Sequence, residues 1–358
     1  MPARSGVTSP DYACCHAAEY NPLAGFLPVS KNKISDKERS PRRRFGIGEW
    51  YGKSFAQLTS EDRRFYAKIQ LLPKAEKPAQ PCPFLSDHGR KVNCWKPGGI
   101  CSLRSYEESV DTKVVSLDSR ASTIRTTCPS RFEEGGTIYR WIGETILGDE
   151  KAVPVGETPF LERAATVQDP SGQALRKVGR IDNVLVLPGS DPLQWCPIEK
   201  QAVYFSGERM ELEFRAMAGA PASSPLPFPL KNRRPDYRSS GPKRLLPQLE
   251  IKVPTLSTWG KKMAVVVDED FFSQLGHMRE ANDLSNAELA WFIVKYADEG
   301  ENMKLQPGRV SIIRLKDAIE GLVAAVPIPK PQFEEAIRSK LLRITLASRD
   351  SDPQATRS

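Results

Sequence analysis

The stretch RIDNVLVLPGSDPLQWCPIEKQAVYF, residues 180–205, decides the reading of this chain. Two runs rich in Val, Ile, Leu and aromatic residues, 180–188 and 198–205, flank a segment dense in Pro, Gly and Asp. That pattern predicts two β-strands joined as a hairpin. Cys196, alone in the connecting segment, reads as a small apolar filler. In a strand, residues i and i+2 share a face. Glu199 and Gln201 therefore point together, Lys200 points away, and Asp182 opens the first strand within reach of the same place. Hydrolysis of a phosphodiester with Mg²⁺ needs hard oxygen ligands converging in this way. Glu162, in FLERA, lies upstream in a predicted helix and adds another carboxylate. Taken singly, acidic residues at strand ends are ordinary surface residues, so the pattern alone is a weak signal.

A second set competes with it. Asp236, followed by Glu250-Ile251-Lys252, spells the acidic-x-lysine pattern with its lysine intact. Pro247 and Pro254 bracket that triplet, and proline is unwelcome in a central strand. Before it, residues 218–247 read as a long loop. Its cations, Arg233, Arg234, Arg238, Lys243 and Arg244, stand among Pro, Gly and Ser with little to bury. They are candidate DNA contacts, since arginine binds phosphate and pairs bidentately with guanine. The Asp182 set is preferred as the catalytic one.

Outward from the hairpin, MAVVVD (263–268) reads as a buried strand and VSIIRL (310–315) as a strand running into a helix. Ser285 and Glu288 spell a capping box, followed by Leu289, Phe292, Ile293 and Tyr296 at helical spacing, which predicts an amphipathic helix. Ile138, Trp141 and Ile142 predict another, and Thr59 or Ser60 caps a third reaching about Ile69. Residues 1–44 read as an irregular basic arm ending in the run from Lys37 to Arg44, and 73–83 as a linker. Segments 45–134 and 135–347 read as a cysteine segment and a catalytic core, with a polar, disordered tail at 348–358.

Cys82, Cys94, Cys101 and Cys128 cluster in one window, beside Pro83, Gly98, Gly99 and Pro129. Four thiolates satisfy a tetrahedral Zn²⁺ or Fe ion, and the alternative is four unrelated buried thiols. Cys14 and Cys15 are adjacent and are left out of the set. His16, His88 and His277 are not at ligand spacing, which argues against a histidine-built catalytic zinc centre. The net charge of +8 allows phosphate-rich partners. FGIGEW (45–50) lacks the third glycine of a dinucleotide fingerprint. No apolar run of about eighteen residues is present, so no membrane span is predicted and the cytoplasm is the default location.

CPFLSDHGRKVNCWKPGGICSLRSY (82–106), the hairpin stretch 180–207 and RRPDYRSSGPKRLLPQL (233–249) resemble the NotI family of restriction endonucleases. The resemblance spans roughly residues 45–320 and is most specific at GGICSLR. It implies an α/β nuclease core of the PD-(D/E)XK type, a mixed sheet flanked by helices, with an N-terminal metal-braced segment. It further implies a homodimer cutting GC-rich palindromic double-stranded DNA with Mg²⁺, and an iron ion on Cys82, Cys94, Cys101 and Cys128. The family carries a glutamine where most relatives carry lysine. That matches Gln201 and supports Glu162, Asp182 and Glu199 as its companions. The competing functional class is a non-cleaving, metal-stabilised DNA-binding protein.

Overall fold

Two stretches with no polar face, MAVVVD (263–268) and LAWFIV (289–294), lie side by side in parallel at the middle of the protein, every residue buried. The computed structural model describes residues 40–86, 91–118, 124–162, 177–300, 302–324 and 328–350. Lys37 and Arg39 of the basic arm and the tail beyond Asp350 lie outside them.

The chain enters through β1 (Arg42–Trp50) and β2 (Lys53–Ser54), then α1 (Ser60–Leu71). Arg42, Arg43 and Arg44 are thus strand residues rather than part of an irregular arm. Each is tied down: Arg42 to Glu108, Arg43 to Glu107 and Asp118, Arg44 to the carbonyls of Pro229 and Leu230. Helix α1 starts as its sequence predicts, with Thr59 accepting from the Asp62 N–H. Strands β3 (Ile100–Glu108), β4 (Val115–Leu117) and β5 (Arg125–Thr126) complete a five-stranded sheet in which β1 and β3 are antiparallel.

After α2 (Thr137–Ile142) come β6 (Val153–Pro154), a two-stranded ribbon of β7 (Thr158–Glu162) and β8 (Lys177–Ile181), and a hairpin of β9 (Asn183–Leu187) and β10 (Gln194–Lys200), whose second strand starts before and ends within the predicted 198–205. Cys196 is inside β10, fully buried, rather than in the connecting loop. Next are β11 (Tyr204–Gly207), α3 (Glu211–Ala218), β12 (Arg233–Asp236), α4 (Tyr237–Ser240) and α5 (Leu246–Thr258). The second half of the expected 218–247 loop is therefore folded. Strand β13 (Met263–Asp268), α6 (Glu269–Ser273), β14 (Leu289–Glu299), β15 (Asn302–Ile313), α7 (Leu315–Val323) and α8 (Lys330–Asp350) follow.

The large sheet runs β15-β14-β13-β10-β9-β6. It is mixed: β14, β13 and β10 are parallel and the outer pairings antiparallel. Alternate residues of its strands feed two cores. Met263, Val265, Val267, Trp291 and Ile293 pack with Leu249, Val253 and Leu256 of α5. Ala264, Val266, Phe292 and Val294 pack with Phe132, Ile138 and Ile142 on the other side. This mixed α/β arrangement, helices over both faces of a sheet, explains why β14 misleads as a sequence. Leu289 and Ile293 point to one core and Phe292 to the other, so a strand buried on both faces imitates helical spacing. The supposed capping box is divided as well: Asp283 caps the short turn at Leu284–Asn286, and Glu288 accepts from the Leu315 N–H that opens α7. Helix α8 extends to Asp350, past the start of the expected tail.

Arg131 joins the two sheets. Its guanidinium, fully out of water, donates to Glu49 on β1 at 2.9 Å, to Glu134 at 2.7 Å and to the Met303 carbonyl on β15 at 2.8 Å. Phe84 and Tyr296 stack within 4.8 Å of it. Removing one partner of such a pair strands a buried charge. Arg131→Met should therefore lower folding stability by about 3–5 kcal/mol, while Arg131→Met combined with Glu49→Leu should lower it less than the single change. Denaturant unfolding of the three proteins checks this; additive losses would contradict it.

Candidate active site

Strands β8 and β9 meet at Asp182, which occupies the bend between them on the exposed side. Next to it, β10 delivers Glu199 into the middle of the sheet, where only 2% of the residue is exposed. Asn183 pairs with Ile198, so Asp182, one residue earlier, stands beside Glu199, close enough for its carboxyl to act on that of Glu199. Burial first, and then the charge of Asp182, push the Glu199 carboxyl up to about 7 against the opposing pull of Lys252. The Lys252 ammonium lies 2.6 Å from Glu199 Oε2 and 2.5 Å from Gln248 Oε1.

The alternation read from the sequence holds around Glu199. Lys200 points to the other face, where it pairs with Glu133 and approaches the Tyr139 hydroxyl at 3.5 Å. That hydroxyl accepts from Asn183 at 2.7 Å. Burial and the Glu133 carboxylate beside it push the phenol well above its ordinary range. Gln201 lies just past the strand, half-buried. Its N–H continues the ladder to the Val266 carbonyl, and its side-chain amide donates to the Ala202 carbonyl.

Glu162 ends β7 and so is a strand residue, not a helical one. Its partner is Lys177, whereas Thr158 pairs with Ile181. That register sets the Glu162 backbone about 15 Å along the ribbon from Asp182. Its side chain lies outside the described residues.

The competing set does not assemble. Asp236 caps α4, accepting from the N–H and hydroxyl of Ser239, which hold its carboxyl below the usual range. Glu250 is exposed on α5. Only Lys252 of that triplet turns inward, and it joins Glu199. The acidic-x-lysine pattern groups this lysine with Glu250, whereas the fold groups it with Glu199. The available signal was its position among Leu249, Val253 and Leu256, the buried stripe of a helix.

Of the predicted DNA contacts, Arg233 is buried against Glu213 at 2.7 Å, with further bonds to the Glu208 and Arg209 carbonyls. Arg234, Arg238, Lys243 and Arg244 are exposed, the last with its guanidinium 4.5 Å from the Tyr204 ring. The expectation that this basic stretch has nothing to hold it fails at Arg233, because an ion pair supplies what apolar packing does not.

Cys82, Cys94, Cys101 and Cys128 lie near enough for their charges to be felt mutually, and burial pushes Cys82, Cys94 and Cys101 upward. Backbone bonds knit the segment: Cys82 N–H to Val92, Cys94 N–H to Gln80, Cys128 N–H to Cys101. The donor set has the right chemistry for Fe or Zn. Yet among the described residues no group of three or more His, Cys, Asp or Glu is placed to hold a metal ion, so the geometry does not support the metal brace expected from the sequence. Asp182 and Glu199 together offer two hard-oxygen carboxylates, enough for Mg²⁺, which takes one or two carboxylates and completes its shell with water and phosphate.

A family model described as restriction endonuclease NotI matches residues 67–306, about two thirds of the chain. The chain belongs to the NotI restriction endonuclease family. It is accordingly a site-specific, type II DNA-cleaving enzyme whose substrate is double-stranded DNA. Asp182, Glu199, Gln201, Lys252 and all four clustered cysteines fall within the matched NotI region. No curated protein matches the chain. Among the described residues no helix is long and apolar enough to cross a membrane.

The raised Glu199 carboxyl gives a pH signature. Its folded value is above the ordinary 4.5, so its contribution to stability is complete below that value and is lost as pH rises through about 7. In metal-free buffer, the fall in unfolding free energy between about pH 5 and about pH 8 should be smaller in Glu199→Gln by roughly 1–3 kcal/mol. Equal falls in both proteins would contradict this.

Proposed function

We propose that the protein hydrolyses one phosphodiester per strand at a specific, GC-rich palindromic site, as a homodimer in the cytoplasm, on a core of the PD-(D/E)XK type. The observation that carries the reading is the position of Asp182 at the bend that enters β9, beside Glu199 on β10 of the central sheet. Mg²⁺ held by these two carboxylates would supply Lewis acidity to the phosphate and lower the pKa of an attacking water. Asp182, at the exposed bend, faces the substrate side, and Glu199 is fixed from behind by the sheet. The Gln201 amide, neutral at every pH, orients the phosphate or the water by hydrogen bonding. The water oxygen bonds to phosphorus, one P–O ester bond breaks, and the departing oxygen takes up a proton. Glu162 is left outside the proposed ligand pair because of its register.

Arg234, Arg238, Lys243 and Arg244 are proposed as contacts to phosphates and guanine edges. Arg233, neutralised by Glu213, would hold β12 in place rather than touch DNA.

Asp182→Ala and Glu199→Ala should each lower Mg²⁺-dependent cleavage by at least about a thousandfold, while binding of the cognate duplex in Ca²⁺ persists. Plasmid nicking and gel-shift assays measure the two. Cleavage at the parent rate by Asp182→Ala would reject the site. Absence of any Mg²⁺-dependent cutting by the parent protein would favour a DNA-binding protein that does not cleave.

A further inference from the structure

The core-facing stripe of α5 contains Leu249, Val253 and Leu256, all essentially out of water, and among them a lysine. Lys252 is 4% exposed. An apolar side chain there would extend the packing, whereas a buried ammonium has a desolvation cost of several kcal/mol unless well paired. Departures of this kind from the pattern of a core concentrate at functional sites. The ammonium is also positioned from two sides. Glu199 Oε2 holds it at 2.6 Å, and Gln248, one turn earlier on the same helix, at 2.5 Å. These contacts take two of the three N–H donors an ammonium carries.

The position has chemical consequences. A phosphate attacked by water gathers negative charge on its non-bridging oxygens, and fixed positive charge beside it lowers that barrier. Gln201 sits where a cation would be useful but is an uncharged amide. Lys200, next in sequence to Glu199, is spent on Glu133 across the sheet. Among the described contacts of Asp182 and Glu199, the cation is Lys252, contributed from a different element more than fifty positions along the chain.

We propose that Lys252 is a catalytic residue of this site: its ammonium, brought in by α5, faces the scissile phosphate and supplies there the positive charge that Gln201 cannot. The proposal rests on Asp182 and Glu199 being the reacting centre. Gln248 Oε1, at 2.5 Å, is the second acceptor that fixes the direction of the ammonium.

The test uses Lys252→Met, which keeps length and loses charge, and Lys252→Gln, which in addition keeps a donor for Glu199 should the methionine protein not fold. Asp182→Ala is run beside them. Binding of the cognate duplex is measured in Ca²⁺, and single-turnover cleavage in saturating Mg²⁺. The expected result is cognate binding within about threefold of the parent and a cleavage step slower by at least about a hundredfold, the cost of deleting one fixed transition-state donor. A cleavage step within about tenfold of the parent, with Asp182→Ala inactive, overturns the role of Lys252 and leaves the site standing. Cleavage lost only in proportion to DNA binding also overturns it. Parent-rate cleavage by Asp182→Ala would instead remove the site on which the proposal rests.

Discussion

A carboxylate, a second carboxyl group touching it and an ammonium are packed together at the edge of an apolar core: Glu199, Asp182 and Lys252. The surrounding structure can be understood from the cost of that packing. Two acids in contact cannot both ionise cheaply, and burial penalises the ionised form of Glu199 further. The sheet bears this penalty because β10 is held on one side by β9 and on the other by β13, with apolar layers above and below. A poorly packed strand would simply turn the acid to solvent. Under the proposed function, a divalent ion would take the place of the proton or ammonium that Glu199 otherwise holds.

The rest of the molecule supplies rigidity to this centre. Arg131 links the five-stranded sheet to β15, and β5 reaches the central sheet through the Thr126 N–H to Asp268 at 2.8 Å and the Val203 N–H to the Thr126 carbonyl at 2.8 Å. Burial pushes the Asp268 carboxyl up to about 6, although two backbone N–H groups stabilise its charge. Buried polar links of this kind tolerate little adjustment. The cysteine segment is joined to the same frame through the β3 strand and the Cys128–Cys101 backbone bond, and among the described residues its thiols do not form a group placed to hold a metal ion.

Part of the geometry of the candidate site is legible in the residues alone. Alternation along β10 correctly separates Glu199 from Lys200, because a strand's two faces are fixed by its pleat. Hairpin geometry predicts Asp182 beside Glu199, and it is there, although the run 180–188 is two strands bent at that residue. Lys252 was not readable, since its contact with Glu199 depends on how α5 packs, a long-range fact with no local signature. The helix expected at Leu289–Tyr296 failed for a related reason: apolar periodicity is ambiguous when both faces of an element are buried. Arg233 shows the same limit for charge. Sequence shows a basic loop, while the fold decides which cations meet an acid and which meet solvent.

In the proposed function, Asp182 and Glu199 would together hold a divalent ion. Fe²⁺ substituted for Mg²⁺, with ascorbate and peroxide, generates radicals that cut the polypeptide beside the bound ion. Fragment mapping by mass spectrometry should then find cuts clustered around residues 182 and 199, lost when Mg²⁺ is added in excess. Cuts confined to other parts of the chain, with both of these stretches intact, would contradict the account.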